Sequence, residues 1–150
     1  MIEEESLKIS GHVDIVITDK DGNVKETRSI KNLVLTTGKT FIAASMLKTT
    51  SNSPAAMSHM AVGSGSTAAA VGNTAMESQL GRVSLASASS SGAVVTYTAT
   101  FPAGTGTGAI TEAGIFNNST GGDMLCRTVF SVVNKGADDA MSVTWTVTVS

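Results

Sequence analysis

The stretch that most constrains the fold is MSVTWTVTV, residues 141–149. Apolar side chains occupy every second position of this stretch, and serine or threonine occupies each position between them. Because successive side chains of a β-strand point to opposite faces of a sheet, this period of two predicts a half-buried antiparallel strand. Trp145 is the largest side chain on the apolar face, and we expect it to lie in the core.

Several other segments alternate in the same way and predict further strands. HVDIVITD is followed by Asp21-Gly22, a dipeptide typical of hairpin turns, and the chain then returns through NVKETRSIKNLV. AVVTYTATF, AITEAGIF and DMLCRTVFSVV are predicted strands as well, and RVSLAS is a shorter one. The apolar faces carry Val13, Ile15 and Ile17 in the first segment, Val95, Tyr97, Ala99 and Phe101 in AVVTYTATF, and Met124, Cys126, Phe130 and Val132 in DMLCRTVFSVV.

The segment TTGKTFIAASMLK predicts a helix. Its side chains Phe41, Ile42, Ser45 and Met46 recur at helical spacing near one stripe, and Thr37 is a candidate N-cap. A second stretch, STAAAVGNTAMESQLG, is ambiguous because its internal Gly-Asn pair interrupts any helix through it.

The alternation of strands and turns predicts a mainly β fold. Strands separated by Gly-, Ser- and Asn-containing turns, with one or two short helices, are typical of an antiparallel β-sandwich or jelly-roll-like domain. The 150 residues suit a single domain over residues 1–150, because no repeat or linker divides the sequence. Residues 1–12 are a candidate extended N-terminal arm.

Charge and composition argue against several classes of function. The net charge of -2 provides no basic footprint for nucleic acid or an anionic membrane. No apolar run approaches the ~20 residues of a membrane span, and the acidic residues after Met1 disagree with a secretory signal peptide. The one cysteine, Cys126, excludes an intrachain disulfide and is predicted to lie in the core rather than to react. We expect a protein made in a cytoplasm, with no nucleic-acid or membrane partner.

Serine and threonine make up about a quarter of the chain, whereas charged residues make up only 15%. Sheet faces covered by small hydroxyl side chains suit contact with other proteins, because burying a hydroxyl costs less than burying a charge. The composition therefore favours a protein-binding surface.

The segment HMAVGSGSTAAA contains Gly63-x-Gly65-x-x-Ala68, a spacing that fits the loop that binds a dinucleotide pyrophosphate. That fingerprint requires a helix that starts in the loop and an acidic residue ~20 positions later, inside a parallel βαβ unit. Here a Gly-Asn pair cuts the helix short and the next acidic residue, Glu77, comes too early. The neighbouring strands also alternate as antiparallel strands do. We therefore predict no dinucleotide cofactor.

The remaining motifs also argue against catalysis. GKT at residues 38–40 ends like a Walker A loop, but Leu33 stands where its first glycine is required, so a helix N-terminus is the better interpretation. DKDGN begins like a calcium loop but has a misplaced glycine and is predicted to be a hairpin turn. His12 and His59 have no further metal ligands at suitable spacing, and Asp138-Asp139 leave a turn and an ion ligand open as interpretations. Together these motifs predict no catalytic residue, no metal site and no cofactor.

Four segments follow one another in an order that resembles a family of phage virion structural proteins: KNLVLTTGKTFIAASML, MSHMAVGSGSTAAAVGNTAMESQLGR, ITEAGIFN and LCRTVFSVVNKGADDAMSVTWTVTV. The resemblance covers nearly the whole chain from about Val13. It implies a β-rich component of the virion, assembled in the host cytoplasm, rather than an enzyme. In that context Gly63 and Gly65 would let a strand turn sharply into a loop that lies close to another subunit.

The resemblance leaves two virion roles open. A capsid decoration or cement protein would bind the major capsid protein in many copies, so that weak contacts gain from multivalency. A tail, baseplate or fibre-adaptor component would bind other tail proteins. Fibre proteins usually continue into a long shaft or a receptor-binding tip, whereas this sequence stops at its final strand, which favours decoration. Because decorations and fibres commonly sit at threefold positions, a homo-oligomer is expected, with a trimer favoured.

The charged residues near the glycine-rich segment also leave alternatives open. Glu77 and Arg82 either form an ion pair that closes the loop or stay exposed and unpaired. Glu112, in ITEAGIF, either pairs with Arg82 or Arg127 or has no partner. Exposed pairs contribute little to stability, so each is a structural candidate and none is a catalytic assignment.

A glycan-binding β-sandwich module is a third and lesser alternative. Such modules commonly present exposed aromatic rings to sugars. Trp145 and Tyr97 lie on the apolar faces of their strands and are expected to be buried, which disfavours this function.

Overall fold

The computed structural model describes residues 7–47 and 53–150 of the protein. This part of the chain is mainly β, as the alternating segments predict, with nine strands and a single short helix. The elements are β1 (Ile9–Thr18), β2 (Val24–Val34), α1 (Thr36–Ser45), β3 (His59–Gly63), β4 (Gln79–Ser84), β5 (Ser87–Ser91), β6 (Val94–Phe101), β7 (Gly108–Phe116), β8 (Met124–Lys135) and β9 (Ala140–Val149). Since β1 begins at Ile9, residues 9–12 of the candidate N-terminal arm belong to the sheet, and residues 1–6 lie outside the described part.

All the strands form one antiparallel sheet in the order β4-β3-β7-β8-β2-β1-β9-β6-β5. The two terminal strands of this order, β4 and β5, are joined in sequence by only Leu85 and Ala86. A flat sheet would hold them far apart, so the sheet curls until β4 lies beside β6. Backbone hydrogen bonds from Leu85 N to Ser58 O (2.8 Å) and from Ala86 N to Thr98 O (2.8 Å) hold this corner. The result is a β-sandwich-like fold that encloses the core.

The core is centred on β1 and β9, whose pairing places Val13 opposite Trp145. Trp145 is fully buried, and its Nε1 donates a hydrogen bond of 3.0 Å to Asn32 Oδ1. Gly11 lies opposite Asn32, and a side chain at Gly11 would collide with that amide. The glycine therefore makes room for the amide that satisfies the only polar group of the indole.

The first predicted hairpin is confirmed. Val13, Ile15 and Ile17 are all buried. The turn is closed by a backbone hydrogen bond of 2.9 Å from Asp19 N to Asn23 O. Gly22 has a φ of 84° there, in the left-handed region that favours glycine.

The prediction of which side chains of β8 face the core is correct only in the first part of the strand. Met124 and Cys126 are buried, but Val132 is 44% exposed and Val133 is buried in its place. Between Val129 and Val133, β8 advances four residues while β7 advances only two, from Glu112 to Ile110. This β-bulge interrupts the alternation and changes which side chains face the core.

Helix α1 follows β2 without the predicted cap. Its N-cap residue is Leu35, which makes no side-chain cap hydrogen bond. The Thr37 hydroxyl instead donates to Met124 O at 2.7 Å, which ties the first turn of the helix to β8. Thr37 is therefore not the cap, because a strand carbonyl outside the helix takes its hydrogen bond.

The buried face of α1 is shorter than the predicted stripe. Phe41 and Ile42 pack against the core, but the helix ends at Ser45 and Met46 is exposed. Gly38 is buried, and a side chain there would collide with the carbonyl of Leu125. This close approach explains the glycine of the GKT segment, which lies within the helix as expected.

Candidate functional site

The connection between β3 and β4, residues 64–78, lies over the face of β7 and β8 that carries Glu112 and Arg127. Glu112 is 0% exposed and Arg127 is 2% exposed. Their strands are neighbours, and Gly63 of β3 is paired with Glu112. We call Glu112, Arg127 and the loop groups that bind them the Glu112 cluster.

The Glu112 carboxylate accepts four hydrogen bonds. Its Oε2 accepts the backbone N–H groups of Gly65 and Ser78, both at 2.7 Å. Its Oε1 accepts the N–H of Glu77 at 2.9 Å and Nε–H of Arg127 at 3.2 Å. Because the amides come from both ends of the loop, one buried carboxylate closes the whole connection.

The two glycines of the GxG motif allow this closure. A Cβ on Gly65 would collide with Glu112 Oε2, and a Cβ on Gly63 would lie 2.8 Å from the same oxygen. In a nucleotide-binding loop, the N–H of this glycine would donate a hydrogen bond to a phosphate. Here the Gly65 N–H donates to the carboxylate of Glu112 in the same chain. The glycines thus allow a close approach of the loop to Glu112 within one chain.

Arg127 binds the middle of the same loop. Its Nη1 donates to Thr67 O at 3.1 Å and to Asn73 Oδ1 at 3.0 Å. Its Nη2 lies 3.9 Å from Glu77 Oε2. The pKa of Glu77 is lowered, first by a hydrogen bond from the Thr67 side chain and further by the Ser66 amide and the charge of Arg127. The cluster therefore consists of the buried Glu112–Arg127 ion pair and the half-exposed carboxylate of Glu77 beside it.

Arg82 lies outside the cluster, and the Glu77–Arg82 ion pair is not formed. Arg82 Nη1 donates to the carbonyl oxygens of Asn118 and Gly121, both at 3.0 Å. Its guanidinium also lies 3.7 Å from the ring centroid of Phe116. Arg82 therefore stabilises the β7–β8 turn.

The structure thus brings together Gly63, Gly65, Glu77, Glu112 and Arg127 among the candidates from the sequence. Trp145 lies in the core on the other side of the sheet. Sequence reasoning missed the acceptors of Arg127 in the loop, because nothing local marks them. The presence of an acidic residue inside the apolar segment ITEAGIF was the available signal, since a buried carboxylate requires donors around it.

His12, Ser29 and Asp14 do not form a catalytic triad, and Cys126 is not activated. The Ser29 hydroxyl donates to Asp14 Oδ1 at 2.8 Å and lies 2.6 Å from His12 Nε2 on an exposed sheet face. In a nucleophilic triad the histidine stands between the serine and the carboxylate, whereas here the serine stands in the middle. Burial raises the pKa of the Cys126 thiol to about 12, so it stays protonated at neutral pH.

Within residues 7–47 and 53–150, no three His, Cys, Asp or Glu side chains are grouped as metal ligands. Asp139 accepts a hydrogen bond of 2.9 Å from Lys25 Nζ and one of 2.7 Å from the Gly136 amide. The Lys25 hydrogen bond lowers the pKa of Asp139, with a smaller contribution from the amide. Of the two interpretations left open for Asp138-Asp139, the structure shows the turn.

A second feature is the outer face of β5, β6, β9, β1 and β2, opposite the core. Strand register aligns its side chains in three rows, two across all five strands and one across four of them, and most of these side chains carry hydroxyl groups. The rows are Ser89, Thr96, Thr146, His12 and Lys31; Ser87, Thr98, Thr144, Asp14 and Ser29; and Thr100, Ser142, Val16 and Thr27. We call this surface the hydroxyl face.

Aromatic side chains contribute no exposed platform. The four phenylalanines, the tyrosine and the tryptophan all lie in the described ranges, and each is buried or half-buried. None of these rings is fully exposed, and Phe41 and Tyr97 are partly accessible.

Helix α1, of ten residues, is far too short to cross a bilayer, and no longer helix occurs in the described ranges. Comparison of the chain with protein-family models, curated proteins and solved structures gives no match.

Proposed function

We propose that this chain is a non-enzymatic structural protein of a bacteriophage virion and, within the virion, a capsid decoration protein that binds and stabilises the major capsid protein lattice. The observation that carries the proposal is the hydroxyl face, which extends across five strands and carries few charges. The order of the sequence motifs, which resembles phage virion proteins, supports the same assignment.

The chemistry of the hydroxyl face suits a protein partner. Serine and threonine side chains lose little when they are taken from water into an interface, provided that they find hydrogen-bond partners there. Neighbouring side chains within a row lie one strand spacing apart, about 4.8 Å, and successive rows lie two residues, about 6.7 Å, apart along the strands, so the donors and acceptors form a regular array. Such an array fits a folded protein surface better than a small substrate.

Many weak contacts of this kind add up when the partner is itself a lattice. A decoration protein occupies equivalent sites on the capsid, and self-association, with a trimer favoured, would multiply the contacts of each copy. A tail, baseplate or fibre-adaptor component is the alternative role, because its interfaces would draw on the same surface chemistry.

The copy number in the particle tests the proposal and separates the two roles. Quantitative mass spectrometry of purified virions would compare this chain with the major capsid protein. Hundreds of copies would support decoration, and a few copies to a few dozen would identify a tail component. Absence of the chain from virions would overturn the proposal.

A charge on the hydroxyl face tests the surface itself. Ser142 is exposed on β9, so Ser142→Lys should fold normally and bind particles more weakly, because a lysine would have to be desolvated. Ser131→Lys is the matched control, since Ser131 is exposed on β8, which is not one of the five strands of this face. Equal binding of both variants and the wild type would show that another surface makes the contact.

A further inference from the structure

One strand edge of the curled sheet is left open. In the part of the chain that the structure describes, β5 is a terminal strand that pairs only with β6, while the other terminal strand, β4, lies beside β6. All residues of β5, Ser87–Ser91, are exposed, and they carry no charge. Within the described ranges, the N–H and C=O groups of β5 that point away from β6 have no partner strand. Natural proteins usually protect such an edge with lysine, proline or a covering segment.

An apolar groove runs along this open edge. It separates β5 from helix α1 and residues 54–57, and it encloses about 480 Å³. Its apolar lining includes Phe41, Met57, Val95 and Tyr97. Ala88 and Ser90 of β5 also line the groove, and none of the lining residues in ranges 7–47 and 53–150 is charged.

We propose that this groove binds an extended, uncharged segment of a partner protein, which adds to β5 as a further antiparallel or parallel strand. The unpaired N–H and C=O groups of β5 can form a regular set of hydrogen bonds with another extended backbone. The apolar lining specifies the side chains, since alternate residues of an added strand point to the same side. The inference rests on the proposed function, because it takes the partner to be another protein of the virion.

A second copy of this chain is a poorer occupant. The open strand of a second copy is its own β5, which would bring only serine and alanine to the groove. Those side chains would leave the ring of Phe41 and the side chain of Met57 uncovered. A partner segment with larger apolar side chains at alternate positions buries them, and that burial is the main gain in free energy.

The test uses particles of the phage prepared without this protein, to which the purified full-length chain is added. Hydrogen–deuterium exchange is measured for the free and the particle-bound chain. Strand addition should slow exchange at the β5 amides by at least roughly tenfold. Ser90→Lys places a charge in the groove and should weaken binding by at least about tenfold, whereas the control Ser131→Lys should bind as the wild type does.

Each other outcome overturns the inference in a distinguishable way. If the wild type binds but β5 exchange is unchanged and Ser90→Lys binds equally well, the groove is not used and the proposed function still stands. If the wild type does not bind particles, the proposed function fails together with this inference. If the β5 amides are already protected in the free chain, its own residues or a second copy cover the edge.

Discussion

Two regions of the curled sheet are held together by different forces. Around β1 and β9, apolar side chains such as Val13 and Trp145 interdigitate, and the indole N–H donates a hydrogen bond to Asn32. Around β3, β7 and β8, the loop of residues 64–78 is held by hydrogen bonds to the buried Glu112–Arg127 pair.

This difference affects how each region responds to substitution. Apolar packing loses free energy in proportion to the volume and area removed, so small changes have graded effects. When one partner of a buried ion pair is removed, the other charge stays in a poorly solvated site without a counter-charge. The free energy of unfolding therefore falls by a large amount in a single step. We therefore expect gradual weakening around β1 and β9 and abrupt loss in the Glu112 cluster.

The largest effect is expected for Trp145→Ala. The substitution leaves a large cavity and removes the donor to Asn32, so it should cost about 4–5 kcal/mol of unfolding free energy. For a domain of this size that loss should unfold much of the population, measurable by urea denaturation or calorimetry. Trp145→Phe, which keeps much of the ring, should lose less; equal losses would contradict graded packing.

Glu112→Gln tests the Glu112 cluster with almost no change in shape. The amide leaves Arg127 without its buried counter-charge and presents an N–H where an acceptor is needed, so we expect a loss of about 3–5 kcal/mol. Chemical denaturation would measure this loss. An effect below about 1 kcal/mol, the usual worth of an exposed pair, would show that the cluster is not a unit.

Gly65→Ala should have an intermediate effect. Its methyl group would collide with Glu112 Oε2, and we expect a loss of about 1–3 kcal/mol as the loop shifts. Gly72→Ala, in the same loop, is the control because a Cβ there meets nothing within 4 Å. Faster amide exchange at Ser78 in Gly65→Ala alone would place the damage at the loop closure.

The smallest effect is a pH dependence of the unfolding free energy that arises from Glu77, beside the buried pair of the Glu112 cluster. Because the pKa of Glu77 is below its ordinary value of 4.5, its stabilisation is fully present above that value. The stabilisation is lost as the pH falls through the folded-state pKa. The difference in unfolding free energy between wild type and Glu77→Gln should therefore shrink in acid, as denaturation at several pH values would show. A constant difference would exclude this linkage.

The apolar region could be predicted from the sequence because its signal is local. Alternation in residues 141–149 identifies the strand and the buried face together, and the same holds for Val13, Ile15 and Ile17. The alternation fails at Val132, because a bulge depends on how β8 pairs with β7 rather than on the residues of β8 alone.

The polar region could be predicted only in part, because its contacts join distant segments. Glu112 and Arg127 stand out as charges within apolar strands, yet their partners at Thr67 and Asn73 lie in a loop without periodicity. Likewise, Thr37 has the residue type of a cap, but the competing carbonyl of Met124 is visible only in three dimensions.

The pairing of β1 with β9 also affects the order in which the chain can fold. Ile9 is aligned with Val149, so the strand at the centre of the core gains its second neighbour from the far end of the sequence. During synthesis, the β1–β2 hairpin emerges long before β9. Until β9 is available, the second edge of β1 has no partner strand and its apolar side chains are not covered. Such long-range closure is characteristic of slow folding, on the order of milliseconds to seconds. Until β9 has been synthesised and has emerged from the ribosome, the nascent chain is exposed to misassociation with other chains.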